Sequence, residues 1–173
     1  QVLNEQMLLT SANSINVARF LPQSFYYFNA YAQLAKAGHT EDLIFCVPSG
    51  NLGNLTAGLF AAQMGLPVKQ FIAANNRNDV FFEYLKSGIY SPRPSVLTLA
   101  NAMDVGAPSN FVRILDLYEH DHGLISSTIK GYHYTDEEIT RTMQHVYADT
   151  GYIVDPHGAC GYAALHDYQL RTN

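Results

Sequence analysis

Charge is scarce in this 173-residue chain: 10 Lys+Arg and 15 Asp+Glu make up 14% of it, with a formal net charge of -5. The basic residues stand singly. There is no stripe to neutralise a phosphate backbone, so nucleic-acid binding is not expected. Cysteine is nearly missing as well. Cys46 and Cys160 lie far apart in sequence and form no CxxC pair, which argues against a disulfide framework or a thiolate metal site and for a reducing cytoplasm. No run is long and apolar enough to span a bilayer, so no membrane partner is expected. Low charge also implies a surface that is polar and neutral, or covered by further protein. Apolar residues, by contrast, are plentiful at 47%, enough for a packed core and too many for disorder. The length suits one domain or a large piece of a bigger one. The chain starts at Gln1 and residues 2–9 read as though entered mid-fold, so the expectation is an interior fragment.

Periodicity predicts alternating strands and helices. Residues 6–10 read as a short strand or turn, and 11–16 as a small, polar loop. Pro22 suits a helix start, Phe25, Phe28, Ala32 and Ala35 follow at helical spacing, and Gly38 ends the helix. Residues 43–47 form a continuous apolar run, expected to be a strand buried on both faces. A small-residue helix over 54–64 and a strand over 68–73 come next. A helix over 79–86 follows, with Asn78 as its N-cap and Gly88 as its stop. Beyond it the pattern suggests a strand at 96–99, a loop at 100–108 and a helix at 111–120. Thr135 and Glu138 have capping-box spacing ahead of a helix ending at Gly151. A short strand at 153–154 and a helix at 159–170 complete the chain. This order is that of an α/β fold with a parallel-sheet core and helices on both faces.

The stretch that carries chemistry is Val47-Pro48-Ser49-Gly50-Asn51-Leu52-Gly53-Asn54, between a strand and a small-residue helix. Its glycines permit a tight bend and close approach of main chain to a ligand. A helix start adds free N–H groups and the positive end of a dipole. Together they suit a phosphate or other dianion; the alternative is a βα turn that holds nothing. No GKS or GKT follows, so this is not a P-loop, and G-x-x-G is not the dinucleotide fingerprint. The next strand ends in Asn75-Asn76, without an acid for a ribose. A phosphomonoester is what remains. Asn13, Ser14, Asn16 and Arg19 form a second candidate, with directional donors and a planar guanidinium suited to phosphate or carboxylate, although such an arginine is often only a solvated charge. His120 and His122 make H-x-H without a third ligand, so no metal is expected. Asp155-Pro156-His157-Gly158 places a histidine either at a helix start facing the site or in a tight turn. Ser49 lacks the G-x-S-x-G context of a hydrolase nucleophile. The tyrosine-rich 25–31 helix reads as core or interface.

Five segments together carry a family resemblance. Residues 48–58, from Pro48-Ser49-Gly50 to Ala57-Gly58, resemble the phosphate-cradle loop of threonine synthases, pyridoxal-phosphate enzymes of fold type II. Ser11-Ala12-Asn13-Ser14-Ile15-Asn16-x-x-Arg19 is similar to that family's substrate segment. Phe71-Ile72-Ala73-Ala74-Asn75-x-x-Asn78-Asp79 and Asn101-Ala102-Met103-Asp104-Val105-x-x-Pro108-Ser109-Asn110-Phe111-x-Arg113 also fit, and Asp155-Pro156-His157-Gly158-Ala159 fits more loosely. The resemblance runs from the first ten residues to near residue 168.

The resemblance implies a tryptophan-synthase-β-like, fold type II architecture. Residues 1–20 would lead out of a smaller domain with the substrate-binding loop, and 21–173 would be an incomplete large domain binding pyridoxal 5'-phosphate. It implies a cytoplasmic lyase of threonine biosynthesis that converts O-phosphohomoserine and water to threonine and phosphate by β,γ-replacement. Gly50, Asn51, Leu52, Gly53 and Asn54 would hold the cofactor phosphate by main-chain N–H groups. Asn13, Ser14 and Arg19 would bind the substrate phosphate. The family's Schiff-base lysine motif lies upstream of this segment and matches none of Lys36, Lys69, Lys86 or Lys130, so the chain alone is expected to be inactive. The segment that partners the pyridine nitrogen is likewise missing. Asn101, Met103, Asp104 and His157 receive no role, and oligomeric state is not legible. The rival readings are another fold type II enzyme, such as a serine or threonine dehydratase, and a non-catalytic phosphate-binding domain.

Overall fold

A computed structural model of the chain describes Asn13 and residues 15–172. Helix α1 (Val17–Phe20) runs through a 3-10 turn (Leu21–Gln23) into α2 (Ser24–Lys36). Then come β1 (Ile44–Pro48), α3 (Gly53–Gln63), β2 (Gln70–Asn75) and α4 (Val80–Ser87). A 3-10 turn (Asn101–Met103), α5 (Phe111–Leu117), α6 (His122–Thr128), β3 (Ile129–His133), α7 (Asp136–Thr150) and α8 (Pro156–Thr172) follow. The strands form one sheet in the order β1-β2-β3, parallel throughout. Phe45 is paired with Phe71, and Phe71 with Ile129.

Period-2 alternation along β2 explains the layering. Phe71 and Ala73 join a core with Tyr27, Leu55, Leu59, Phe81 and Ile114, from α2, α3, α4 and α5. Ile72 and Ala74 point the other way, onto Ile139, Ala159, Cys160 and Ala164 of α7 and α8. Helices therefore cover both faces, as the α/β reading requires. At Gly58 the α2–α3 contact is so close that a Cβ would lie 2.6 Å from the Tyr27 ring.

Several expectations are met locally. Helix ends fall at Gly38, Gly88 and Gly151, with φ of 82°, 73° and 71°. The capping box is complete: Glu138 N–H donates to Thr135 Oγ1 (3.3 Å) and Thr135 N–H to Glu138 Oε2 (2.8 Å).

Others are corrected. The first strand is only half-buried, with Val47 alone fully inside, because it lies at one end of the three-strand order. Asn78 does not cap α4; Asp79 holds that position without a side-chain cap bond. Asn78 instead donates to Val96 O (2.9 Å) and accepts from Val96 N–H (2.8 Å). That clasp takes the Val96 backbone groups, leaves Leu97 90% exposed, and replaces the strand expected at 96–99. Lys130 lies on β3, a strand the sequence pattern did not announce: only Ile129 and Tyr132 of its five residues are buried. Residues 153–154 are not a strand, and Ile153 is 80% exposed. The helix expected over 111–120 ends at Leu117, before the positive-φ pair Glu119 and His120. The last helix starts three residues early, at Pro156. The strand or turn expected at 6–10 lies outside the described residues.

Candidate functional site

The glycine bend is built on the carboxyl end of β1. Ser49 N–H donates to Ala74 O (2.7 Å), and the buried Ser49 hydroxyl donates to Val47 O (2.8 Å). Ser49 is thus a structural pin at the strand end. Leu52 takes a left-handed conformation (φ 63°, ψ 9°) just before α3, at a conformational cost for a non-glycine residue. Complete burial of its side chain in the core offsets that cost. The first bond of the α3 ladder is Thr56 N–H to Leu52 O (2.9 Å). The amides of Gly53 and Asn54 therefore precede the ladder, where helix geometry provides no carbonyl for them. Asn54 Nδ2 closes the base of the bend on Pro48 O (2.8 Å), and Tyr27 donates its hydroxyl to Asn54 O (2.7 Å).

Asparagines fix the outer side of the bend. Asn51 Oδ1 accepts from Ser109 N–H (2.6 Å) and Ser109 Oγ (2.9 Å), and Asn110 Nδ2 donates to Asn51 O (2.9 Å). Arg113 donates to Asn110 Oδ1 and to Ile15 O, so the segment before α1 is tied to the same group. Asn75 Nδ2 donates to Ser49 O (3.0 Å) from the end of β2.

The facing wall is the Asn101–Met103 turn. A Cβ at Gly50 would lie 2.8 Å from Met103 Cα and 3.1 Å from Ala102 O, so only glycine admits this approach. Asp104 secures the turn from behind: its carboxylate accepts from Asn76 Nδ2 (2.8 Å), Asn78 Nδ2 (3.1 Å), Thr98 Oγ1 (2.7 Å) and Thr98 N–H (3.1 Å). His157, in the first turn of α8, accepts from Ala102 N–H at Nε2 (3.1 Å). That bond requires an unprotonated Nε2, so the proton sits on Nδ1 and is donated to Asp155 Oδ1 (3.1 Å). Asp155 Oδ1 also accepts from the amides of His157 (2.7 Å) and Gly158 (3.0 Å). Gly158 N–H first, then His157, holds the Asp155 carboxyl below the usual carboxylate range.

These walls enclose a cleft of about 350 Å³, lined by Gln23, Pro48, Gly50, Asn51, Gly53, Asn54, Ala102, Met103 and His157. Four of the five loop residues singled out in the sequence line it; Leu52 is anchored beneath. The lining contains no Asp, Glu, Lys or Arg, so its electrostatic character comes from amides and the start of α3. It suits a small anion held by neutral donors, and its size is that of a small-ligand site. The bend thus opens onto a cavity, with its two leading α3 amides outside the helical ladder.

The other sequence candidates are scattered. Asn13 is exposed and its Oδ1 accepts from Ile15 N–H at 3.4 Å; Arg19 is exposed on α1; neither lines the cleft. Ser14 lies outside the described residues. Asn16 caps α1 through Ala18 N–H (3.0 Å). None of the four lysines lines the cleft. Lys69 pairs with Asp42 (2.8 Å), Lys86 lies over the Phe82 ring, and Lys130 Nζ donates to Ser126 O (3.0 Å). His120 is near Asp116 (3.6 Å), while His122 Nε2 meets Tyr84 O at 3.1 Å, so the H-x-H pair splits. Burial pushes the Cys46 and Cys160 thiols up to about 12, which makes both poor nucleophiles. Sequence reasoning missed Gln23 as a lining residue and gave no role to Ala102; the tight Gly50 contact with its neighbour has no signature in sequence.

The family model described as "Pyridoxal-phosphate dependent enzyme" matches residues 6–173. The chain is 44% identical over 167 residues to the threonine synthase of Serratia marcescens, covering 96% of this chain and 38% of that protein. It matches the crystal structure of threonine synthase from Escherichia coli with a TM-score of 0.86 and 43% identity, over 96% of this chain and 38% of that one. It matches PLP-bound threonine synthase from Brucella melitensis with a TM-score of 0.84 and 31% identity, over 94% and 40%. The chain thus spans about two fifths of the length of these relatives.

Proposed function

The chain belongs to the pyridoxal-phosphate dependent enzymes, and from that premise we propose that it is part of a threonine synthase. The reaction would convert O-phosphohomoserine and water to threonine and phosphate. The observation that carries this reading is the Gly50–Asn54 bend, open to a cleft at the start of α3. The donor set fits the cofactor's phosphate: backbone amides, a helix start, and a glycine where a methyl group would strike the opposite wall. The similarity to threonine synthases at 43–44% identity favours this reading over a dehydratase or a non-catalytic phosphate-binding domain.

Each residue has a task in this reading. The amides of Gly50, Asn51, Leu52, Gly53 and Asn54 grip the cofactor phosphate, while Ser109 and Asn110 hold Asn51 in place. When bound, pyridoxal phosphate supplies an electron sink for carbanions formed on the substrate. Asn13, Ser14 and Arg19 bind the leaving phosphate, whose charge at neutral pH is about -2 and suits one guanidinium with two neutral donors. Residues 21–173 are the cofactor-binding domain and 1–20 lead from a smaller one; the Schiff-base lysine is supplied from outside this segment. A cytoplasmic location is the reading that two cysteines without a disulfide between them favour. The test is threonine and phosphate release from O-phosphohomoserine by the whole protein, with Arg19→Ala losing this turnover far more than any on unphosphorylated amino acids. Equal loss on both would favour a dehydratase. Covalent uptake of pyridoxal phosphate by residues 1–173 alone at a stoichiometric lysine would refute the assignment of the lysine elsewhere.

A further inference from the structure

His157 is the titratable side chain in the cleft lining, and the reading above gives it no task. Its bonds run in one line. Asp155 holds the Nδ1 proton, Nε2 accepts from Ala102 N–H, and the Ala102–Met103 backbone presses against Gly50. Asp155 is the charged side chain in contact with the ring; the polar side chains lining the cleft beside it, Gln23, Asn51 and Asn54, are neutral.

We propose that His157 is a positioning residue, a proton-sensitive latch: neutral, it holds the Ala102–Met103 wall against Gly50, and protonated, it releases that wall and loosens the phosphate-binding bend. A second proton on the ring would sit on Nε2 and face the Ala102 N–H, setting donor against donor. Nδ1 would keep its bond to Asp155, so the ring would stay while the wall lost its tie at Ala102 and kept only the one through Asp104. The consequence for ligand affinity rests on the reading of the bend as the cofactor-phosphate site. The latch itself does not.

Glutamine reaches the Nε2 position with an acceptor oxygen that does not titrate; alanine removes the acceptor at every pH. The whole protein and the His157→Gln and His157→Ala variants are titrated with pyridoxal phosphate between pH 5.5 and 8.5. The cofactor's own phosphate titrates equally in all three, so the difference between proteins is the readout. The wild type should lose affinity on acidification by roughly twofold to tenfold more than His157→Gln, the worth of one neutral hydrogen bond. His157→Ala should be weakened by that factor throughout. Parallel wild-type and glutamine profiles would overturn the proposal. So would a wild-type affinity that rises on acidification relative to glutamine, since His157 would then act as a charge on the phosphate. Should the alanine variant not fold, the glutamine comparison decides. A ligand-free readout separates this from the cofactor reading: the Ala102 amide 15N–1H shift should titrate with the His157 ring in the wild type and stay flat in His157→Gln. If pyridoxal phosphate does not bind but that shift titrates, the cofactor reading fails and the latch stands; if the shift is flat, the latch fails.

Discussion

Gly50→Ala is the sharpest probe of the site. The added methyl would stand 2.8 Å from Met103 Cα, 3.1 Å from Ala102 O and 3.4 Å from Met103 C. Non-bonded carbons prefer about 3.5–4.0 Å, so roughly 1 Å must be found between bend and wall. All three contacts are backbone, so a rotamer change cannot provide it. The wall is tied by His157 at Ala102 and by Asp104 behind, which makes yielding costly. Overpacking of this kind costs about 1–3 kcal/mol. If the bend relieves the strain by moving outward, that cost reappears when a phosphate draws the amides together, as a loss of about fivefold to 150-fold in affinity. The assay is titration of the cofactor-free protein with pyridoxal phosphate, followed by absorbance, with the melting temperature measured alongside. Gly131→Ala is the control: it crowds Leu85 Cδ1 (2.9 Å) on β3 and should lower stability without changing affinity. A folded Gly50→Ala protein that binds within twofold of the wild type would show that the close approach does not shape the proposed phosphate site.

Asp104→Ala should destabilise by about 1–3 kcal/mol in urea unfolding, because it strands the Thr98 N–H and hydroxyl, while the Asn76 and Asn78 amides keep Ala100 O and Val96 O as acceptors. Thr135→Ala removes the capping box of α7 and should cost about 1 kcal/mol by the same measurement. The Asp155 carboxyl is held below its ordinary range by Gly158 N–H and then His157, so its folded form favours the carboxylate. Its contribution is present above an ordinary carboxylate pKa of about 3.9 and is lost as pH falls through the lower folded value. A melting profile from pH 5 to 2 should be steeper in the wild type than in Asp155→Asn; identical slopes would refute the assignment. The effect should be small, because the group is largely solvent-screened.

The elements legible in the sequence are those whose cause is local. The run before Pro48, the small residues of α3, Thr135 with Glu138, and the helix-ending glycines each encode their structure within a few neighbours. Where long-range contacts decide, sequence reading fails. Residues 96–99 lose strand character because Asn78, distant in sequence, takes the backbone groups of Val96. Strand β3 is defined by pairing with β2 rather than by an apolar run of its own.

The candidate site divides the same way. Glycines between a strand and a helix announce a bend suited to an anion from composition and order alone, because main-chain geometry at a helix start is a local property. The wall across from it is another matter. Ala102, Met103 and His157 come from segments some 50 to 100 residues beyond the bend, and parallel pairing of β1, β2 and β3 beneath α8 is what brings them to one cleft. The residues themselves carried the capacity to hold an anion; only the packing of sheet and helices decided which neighbours close over it and which histidine holds them there.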